Sequence, residues 1–244
     1  MRVAVISDIH GNVAALEAVL PDIAREKVDL IAVCGDVASG PLPVETLHVL
    51  RALPDATFVR GNADRSLVAG FDGTQKPKLQ GPGADWCAAQ LSREDRDFLA
   101  TFAETISIEV DGLGRVLFCH GSPRSDEEIM TARTPESRLR EFLADVEAEV
   151  VVCGHTHMQF DRMVGRARVI NPGSVGMPYG EPGAFWAVMG PDIQFRRTDY
   201  DRHAAAERLR RSAWPGADEF ARDNVVTVPS VEYAMAFFTK VGGP

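Results

Sequence analysis

A chain of 244 residues, 45% apolar and 25% charged, is ordinary for a globular protein and long enough to bury a sizeable core as one α/β domain. Its formal net charge of −9 disfavours a dedicated nucleic-acid binder, whose affinity rests on clustered Lys and Arg. No apolar run approaches the ~20 residues of a membrane span, and Asp8 interrupts the first one too early for a signal segment, so a cytoplasmic location is the default expectation.

Residues 2–7 form a short Val- and Ile-rich run that reads as a buried strand. Asn12 is placed to cap a helix in which Val13, Leu16, Val19, Leu20 and Ile23 share one stripe. A second strand is expected over 28–34, a second helix over 44–53 between prolines, and a shorter strand over 57–60. Such alternation argues for parallel strands covered by helices. Residues 65–83 are turn-rich and aperiodic, which predicts a surface excursion; with the adjoining helices they make 65–104 a candidate cap or insert. Short helices are expected over 86–91 and 94–102, the second started by Ser92 with Asp95 three residues on.

The pattern then changes. Residues 105–110 and 115–119 flank Asp111-Gly112-Leu113-Gly114, a hairpin signal. Thr134 as cap and Pro135 in the first turn open a helix reaching about residue 147, with a core strand after it over 150–153. Hairpins are expected over 159–164 with 167–170, and over 184–189 with 193–198; the tail, 201–244, reads as a helical extension with Ser230 capping its last segment. The switch from helix-linked to hairpin-linked strands predicts two sheets packed face to face between helices within a single domain spanning 1–244, an α/β four-layer sandwich.

Five polar motifs each come directly after an apolar run: Asp8-Ile9-His10, Gly35-Asp36, Gly61-Asn62-Ala63-Asp64, Cys119-His120-Gly121 and Gly154-His155-Thr156-His157. Four of the six histidines lie in them. A carboxylate or imidazole two residues from another imidazole at a strand end would project to the same side of an extended chain and hold one ion. Together the motifs supply carboxylate, amide and imidazole ligands for two metal ions about 3.5–4 Å apart, the spacing of a phosphoryl-transfer clamp. Cys34, Cys119 and Cys153 precede three motifs; as small residues prone to burial they read as the last core residues of their strands rather than as ligands.

In this order the motifs resemble those of the calcineurin-like metallophosphoesterase family over roughly residues 1–180. The resemblance implies a β-sandwich flanked by helices and a binuclear centre of two divalent or trivalent ions, Mn or Fe foremost and Zn as an alternative. Carried over by motif position, Asp8, His10 and His157 hold the first ion, Asn62, His120 and His155 the second, and Asp36 bridges them. Asp36, Asn62 and His120 are then the residues closest to the chemistry, in which a metal-bridging hydroxide attacks phosphorus in line. Two divalent ions against two carboxylates leave a surplus of about +2, which lowers the pKa of a shared water and attracts phosphate. Many members read Gly-Asn-His where this chain has Ala63, so the usual general acid is missing and the chain resembles the bacterial and archaeal phosphodiesterase branch. Aryl phosphates, phosphodiesters and pyrophosphate-type linkages such as dinucleoside polyphosphates are the expected substrates, because their leaving groups need acid assistance least.

Arg65 and Arg124, with Arg60, lie in or beside motif loops and are candidates for binding phosphate oxygens. The loop 171–176, with Asn171 and Ser174, is a further candidate whose glycines and serine can present backbone N–H groups to a phosphate, with a plain tight turn as the alternative. Tyr179 is available to stack on a base, whereas Trp86 and Trp186 read as core. The partner expected is a small phosphate ester or nucleotide, with no membrane and no nucleic acid, and a closed homodimer is the default oligomer. A family scaffold resembling the retromer subunit, a protein phosphatase and a nuclease are the rival readings; the filled ligand positions weigh against the scaffold and the acidic composition against the nuclease.

Overall fold

Alternation along each strand decides which layer its side chains join. The computed structural model of the chain describes residues 1–74 and 83–242. One sheet has the order β10-β9-β1-β2-β3 and the other β4-β5-β6-β8-β7. The first is built from β1 (Val3–Ile6), β2 (Leu30–Val33), β3 (Ala56–Phe58), β9 (Ala184–Met189) and β10 (Ile193–Thr198). The second holds β4 (Ile106–Val110), β5 (Gly114–Phe118), β6 (Val150–Val152), β7 (Phe160–Val164) and β8 (Ala167–Asn171). In β1, Val3 and Val5 face the second sheet, joining Val116, Phe118, Val152 and Ile170 in one buried cluster. Ala4 and Ile6 point the other way, into the helical layer. Helices flank both sheets, which makes the four-layer sandwich.

The parallel pairs β1/β2, β2/β3, β5/β6 and β6/β8 are joined by antiparallel pairs at β1/β9, β9/β10, β4/β5 and β7/β8. Helix α1 (Val13–Glu26) begins at Asn12, whose side chain accepts the Ala15 N–H, and buries Leu16, Val19 and Ile23 on the outer face of the first sheet. Helix α2 (Pro43–Arg51) joins the same layer through Leu47 and Leu50. On the second sheet, α6 (Glu136–Phe142) packs Leu139 and Phe142 against Val151, Phe160 and Val169.

Two expectations need correction. Residues 62–71 form helix α3 (Asn62–Phe71), and α4 (Ala84–Gln90) and α5 (Arg93–Ala100) come after it. Leu67 shares a core cluster with Ile6, Val33, Cys87, Leu99 and Phe102, so the described residues 65–71 belong to the helical layer and not to a surface excursion over 65–83. Residues 75–82 of that span lie outside the described residues. Helix α6 also stops at Phe142 and takes Pro135 as its N-cap, because the Thr134 hydroxyl is engaged with Thr131 instead. Ser92 and Asp95 form the expected capping box of α5. The tail contributes α7 (Arg202–Arg210), α8 (Ala217–Phe220), a π-helical turn and α9 (Val231–Gly242).

Phe118 is fully buried between the sheets. Phe118→Ala should lower unfolding free energy by about 3–5 kcal/mol in a denaturant titration; a loss below about 1 kcal/mol would show that the inter-sheet layer is not the main core.

Candidate metal centre

Every motif sits just past the C-terminal end of a strand: Asp8 and His10 after β1, Asp36 after β2, Asn62 after β3, His120 after β5, and His155 and His157 after β6. This is the edge of a parallel sheet at which loops converge. Backbone hydrogen bonds tie those loops together: Asp8 N–H donates to Gly35 O, His10 N–H to Asp36 O, and Gly154 N–H to His120 O.

Asp-x-His and His-x-His are not the extended segments that their spacing suggests. All the acidic and imidazole residues of these two motifs, and Asp36 with them, have positive φ: 54° at Asp8 and Asp36, 49° at His10, 66° at His155 and 59° at His157. Only Lys27 and Asp55 join them among the described non-glycine residues. Left-handed backbone at such residues costs about 1–3 kcal/mol each and persists where surrounding structure enforces it. Two glycines allow the close approach. A Cβ on Gly61 would collide with the Asp36 carboxylate, and one on Gly154 with Ser7 Oγ.

The result is two clusters, Asp8 with His10 and His157, and Asp36 with His120 and His155, each with its ligand atoms within 4.8 Å of one another. Asn62 joins the second, its Oδ1 lying 3.2 Å from His120 Nε2. Three rings are oriented from behind: the Nδ1 positions of His10, His120 and His157 face the carbonyls of Ser39, Cys34 and Met177 at 3.2, 2.7 and 2.7 Å. A proton on Nδ1 leaves each Nε2 as the inward-facing atom. His157 Nε2 then lies 3.2 Å from His10 Nε2 and 3.3 Å from Asp8 Oδ1, while His120 Nε2 lies 3.3 Å from Asp36 Oδ2. Lone pairs crowd around each point, and only a proton or a cation relieves them. The donor set therefore fits metal ions.

Without a cation, protons take that role. Burial opposes charge on His120, but the Asp36 carboxylate overcomes it and pushes the imidazole up to about 10. His157 is raised in the same way by Asp8, against its own burial. Burial lowers His10, and burial with the neighbouring His120 lowers His155 to about 4. Each carboxylate thus faces one imidazolium and one neutral imidazole. The three motif cysteines are fully buried and their thiols are pushed up by that burial, so they pack as protonated core residues.

A residue whose structural part the sequence did not disclose is Asp64. It sits at the third position of α3, where its oxygens accept the N–H groups of Gly61, Asp36 and Val37 at 2.9, 2.8 and 3.0 Å. Burial and the Asp36 charge push it up to about 7, against those donors. It clamps the Asp36 loop to the Asn62 loop.

The sequence profile of the calcineurin-like phosphoesterase superfamily domain matches residues 1–190. The chain belongs to this superfamily. It is 27% identical over 235 residues to the uncharacterized protein MJ0912 of Methanocaldococcus jannaschii, covering 87% of this chain and 93% of the relative. Among solved structures it is similar to a metallophosphoesterase from Sphaerobacter thermophilus (26% identity, TM-score 0.69, 91% of this chain and 98% of that one). The fold is also shared with the hypothetical protein PH1004 of Pyrococcus horikoshii OT3 (22% identity, TM-score 0.78, 93% and 99% covered). Two mixed five-stranded sheets flanked by helices are thus the calcineurin-like phosphoesterase fold, carrying two candidate metal-ligand groups.

Two of the four substrate-binding candidates have side chains turned to other partners than the candidate metal centre. Asn171 is fully buried; its amide donates to Gly154 O and Thr156 Oγ1, and its carbonyl accepts Gly173 N–H. Ser174, also fully buried, donates to Asp8 O and accepts Met177 N–H. Both hold ligand loops in place, and their polar atoms are committed to those loops. Arg65 and Arg124 do come together, with Arg60, around a cavity of about 190 Å³ that His120 also lines. They are not free cations: Arg65 forks onto Asp126 and reaches Glu127, Arg124 pairs with Glu128, and Arg60 pairs with Glu104. No helix among the described residues is long and apolar enough to cross a membrane.

The raised His120 value has a measurable consequence. Its ion pair with Asp36 stabilises the metal-free fold fully below the ordinary histidine value of 6.5 and is lost as pH climbs through about 10. Chelator-treated protein should melt at progressively lower temperature as pH rises from neutrality toward that value, and His120→Asn should flatten the profile. A wild-type profile already flat over that range would contradict the ion pair.

Proposed function

We propose that the chain hydrolyses phosphodiester or pyrophosphate-type bonds with two bound metal ions. The observation that carries this reading is the position of one atom. Asp36 Oδ2 lies 3.3 Å from His120 Nε2 and 3.8 Å from His10 Nε2, so a single carboxylate oxygen serves both clusters. Its other oxygen accepts the Ala63 N–H at the start of α3, which fixes the carboxylate between them. Asp8, His10 and His157 would hold one ion and Asn62, His120 and His155 the other, with Asp36 shared. A mixed nitrogen and oxygen donor set without thiolate suits Mn, Fe or Zn. Ions held there would supply Lewis acidity toward phosphoryl oxygens and a water of lowered pKa.

The chain's own side chains narrow the substrate. Ala63 is buried in the first turn of α3 and has no proton to give a departing oxygen. Substrates whose leaving group is stable as an anion are therefore favoured: aryl esters, activated diesters and anhydrides, dinucleoside polyphosphates included. The cavity beside His120 is lined by Arg60, Arg65 and Arg124, each paired with a carboxylate, and Arg60 Nε is a buried donor without a partner. That donor suits a phosphate oxygen that is not transferred. All seven ligand positions are filled, which favours an enzyme over a scaffold built on the same fold.

Manganese-loaded protein should be assayed on bis(p-nitrophenyl) phosphate, diadenosine tetraphosphate and phosphoserine. The first two should turn over, and phosphoserine should be slower by roughly the 10²–10⁴ that a general acid contributes. Asp36→Asn should lower kcat by about a hundredfold or more, beyond what the loss of an outer-sphere partner causes. Phosphoserine hydrolysed as fast as the aryl diester would overturn the leaving-group reading, and metal binding without any turnover would favour the scaffold.

A further inference from the structure

We propose that an apolar cavity beside His157 is the subsite for an aromatic ester group, with the C-terminal helix α9 as its outer wall. This rests on the phosphoesterase reading above and names the substrates which that site prefers. The cavity measures about 350 Å³ and is walled by His157, Met158, Tyr179, Phe185, Val231 and Met235. A space of ~150 Å³ already accepts benzene, so this one accommodates a bicyclic ring. It adjoins the first cluster, because His157 is both a member of that cluster and part of the cavity wall.

The geometry of the wall favours a planar group over an alkyl chain. Tyr179 stacks on the His157 ring with centroids 5.6 Å apart and planes inclined by 28°. Phe238 of α9 meets Tyr179 edge-on at 6.0 Å and reaches the His155 ring at 6.5 Å. Helix α9 is held down by Ala234, Met235 and Phe238, which form one buried cluster with Ile129 and Met158. His157, Tyr179 and Phe185 give the cavity an aromatic lining against which a ring packs, and Phe238 supports Tyr179 from behind. Charge is confined to the mouth, where exposed Arg133 and Glu181 stand. On the His120 side the second cavity is lined by arginines and carboxylates instead. A diester is thereby oriented, its ring toward His157 and its anionic end toward His120. Val231 and Met235 of helix α9 lie beyond the span matched to the superfamily profile, residues 1–190, so part of the wall comes from the tail of this chain.

The test uses zinc-loaded full-length protein labelled with ¹³C at its seven methionine methyls. Two non-hydrolysable probes are compared, phenylphosphonate and methylphosphonate. Phenylphosphonate should bind about tenfold tighter, as burial of a ring predicts, and should move the Met158 and Met235 methyl signals by its ring current. Methylphosphonate should leave both signals in place. Ala132 lies exposed at the mouth, so Ala132→Trp should abolish the shifts and the tenfold preference while keeping methylphosphonate affinity. Equal affinity for the two probes with unmoved Met158 and Met235 signals would overturn the subsite, as would shifts unchanged in Ala132→Trp. Shifts observed in a protein that hydrolyses no ester would leave the subsite standing and remove the hydrolase reading.

Discussion

Two buried carboxylates, Asp8 and Asp36, sit among five imidazole and amide acceptors with almost no exposure to solvent. Such crowding is unfavourable unless positive charge occupies the centre of each cluster. The surrounding structure is arranged to enforce it. Left-handed turns at Asp8, His10, Asp36, His155 and His157 aim the side chains, and carbonyls of Ser39, Cys34 and Met177 fix three rings. Asp64, Asn171 and Ser174 lock the loops from beneath. Strain of this kind is retained where a ligand returns the cost, and here it concentrates on one edge of the two sheets.

That edge arises from the topology. Parallel strands β1, β2 and β3 in one sheet and β5 and β6 in the other end side by side, so their loops meet over the seam between the sheets. The apolar layer below, from Val5 and Cys34 to Phe118 and Val152, supplies the rigid base. On one side of the seam lies the arginine-lined cavity next to His120; on the other lies the aromatic one next to His157. Helix α9 and the Tyr179 loop border the His157 side of the candidate metal centre, while the sandwich positions its side chains.

Much of this was legible in the sequence because it depends on local chemistry. Asn12 and Ser92 cap helices, Asp111-Gly112 turns a hairpin, and strand ends carry the candidate ligands. Helix α3 was hidden because its first turn is the Gly-Asn-Ala-Asp motif itself and Gly70 interrupts its last turn, leaving Leu67 and Val68 too few to show a period. The extended geometry expected for Asp8 and His10 failed for a tertiary reason: hydrogen bonds from the loop after β1 to the loop after β2 impose the left-handed turns. Partners of Arg65 and Arg124 were invisible too. Asp126 is 61 positions from Arg65, and only the fold brings them together. Loop 171–176 offers backbone N–H groups to phosphate in the sequence, yet Val175 and Gly176 N–H donate to Ser7 and Asp8 carbonyls, and the Asn171 and Ser174 side chains bond to the ligand loops.

The central claim is that positive charge belongs at two points, one in each cluster. Anomalous scattering from crystals grown with manganese measures this directly. Two peaks per chain are expected, one among Asp8, His10 and His157 and one among Asn62, His120 and His155, with Asp36 touching both. A map with no peak at these side chains, or a single peak that leaves one cluster empty at saturating metal, would contradict the account.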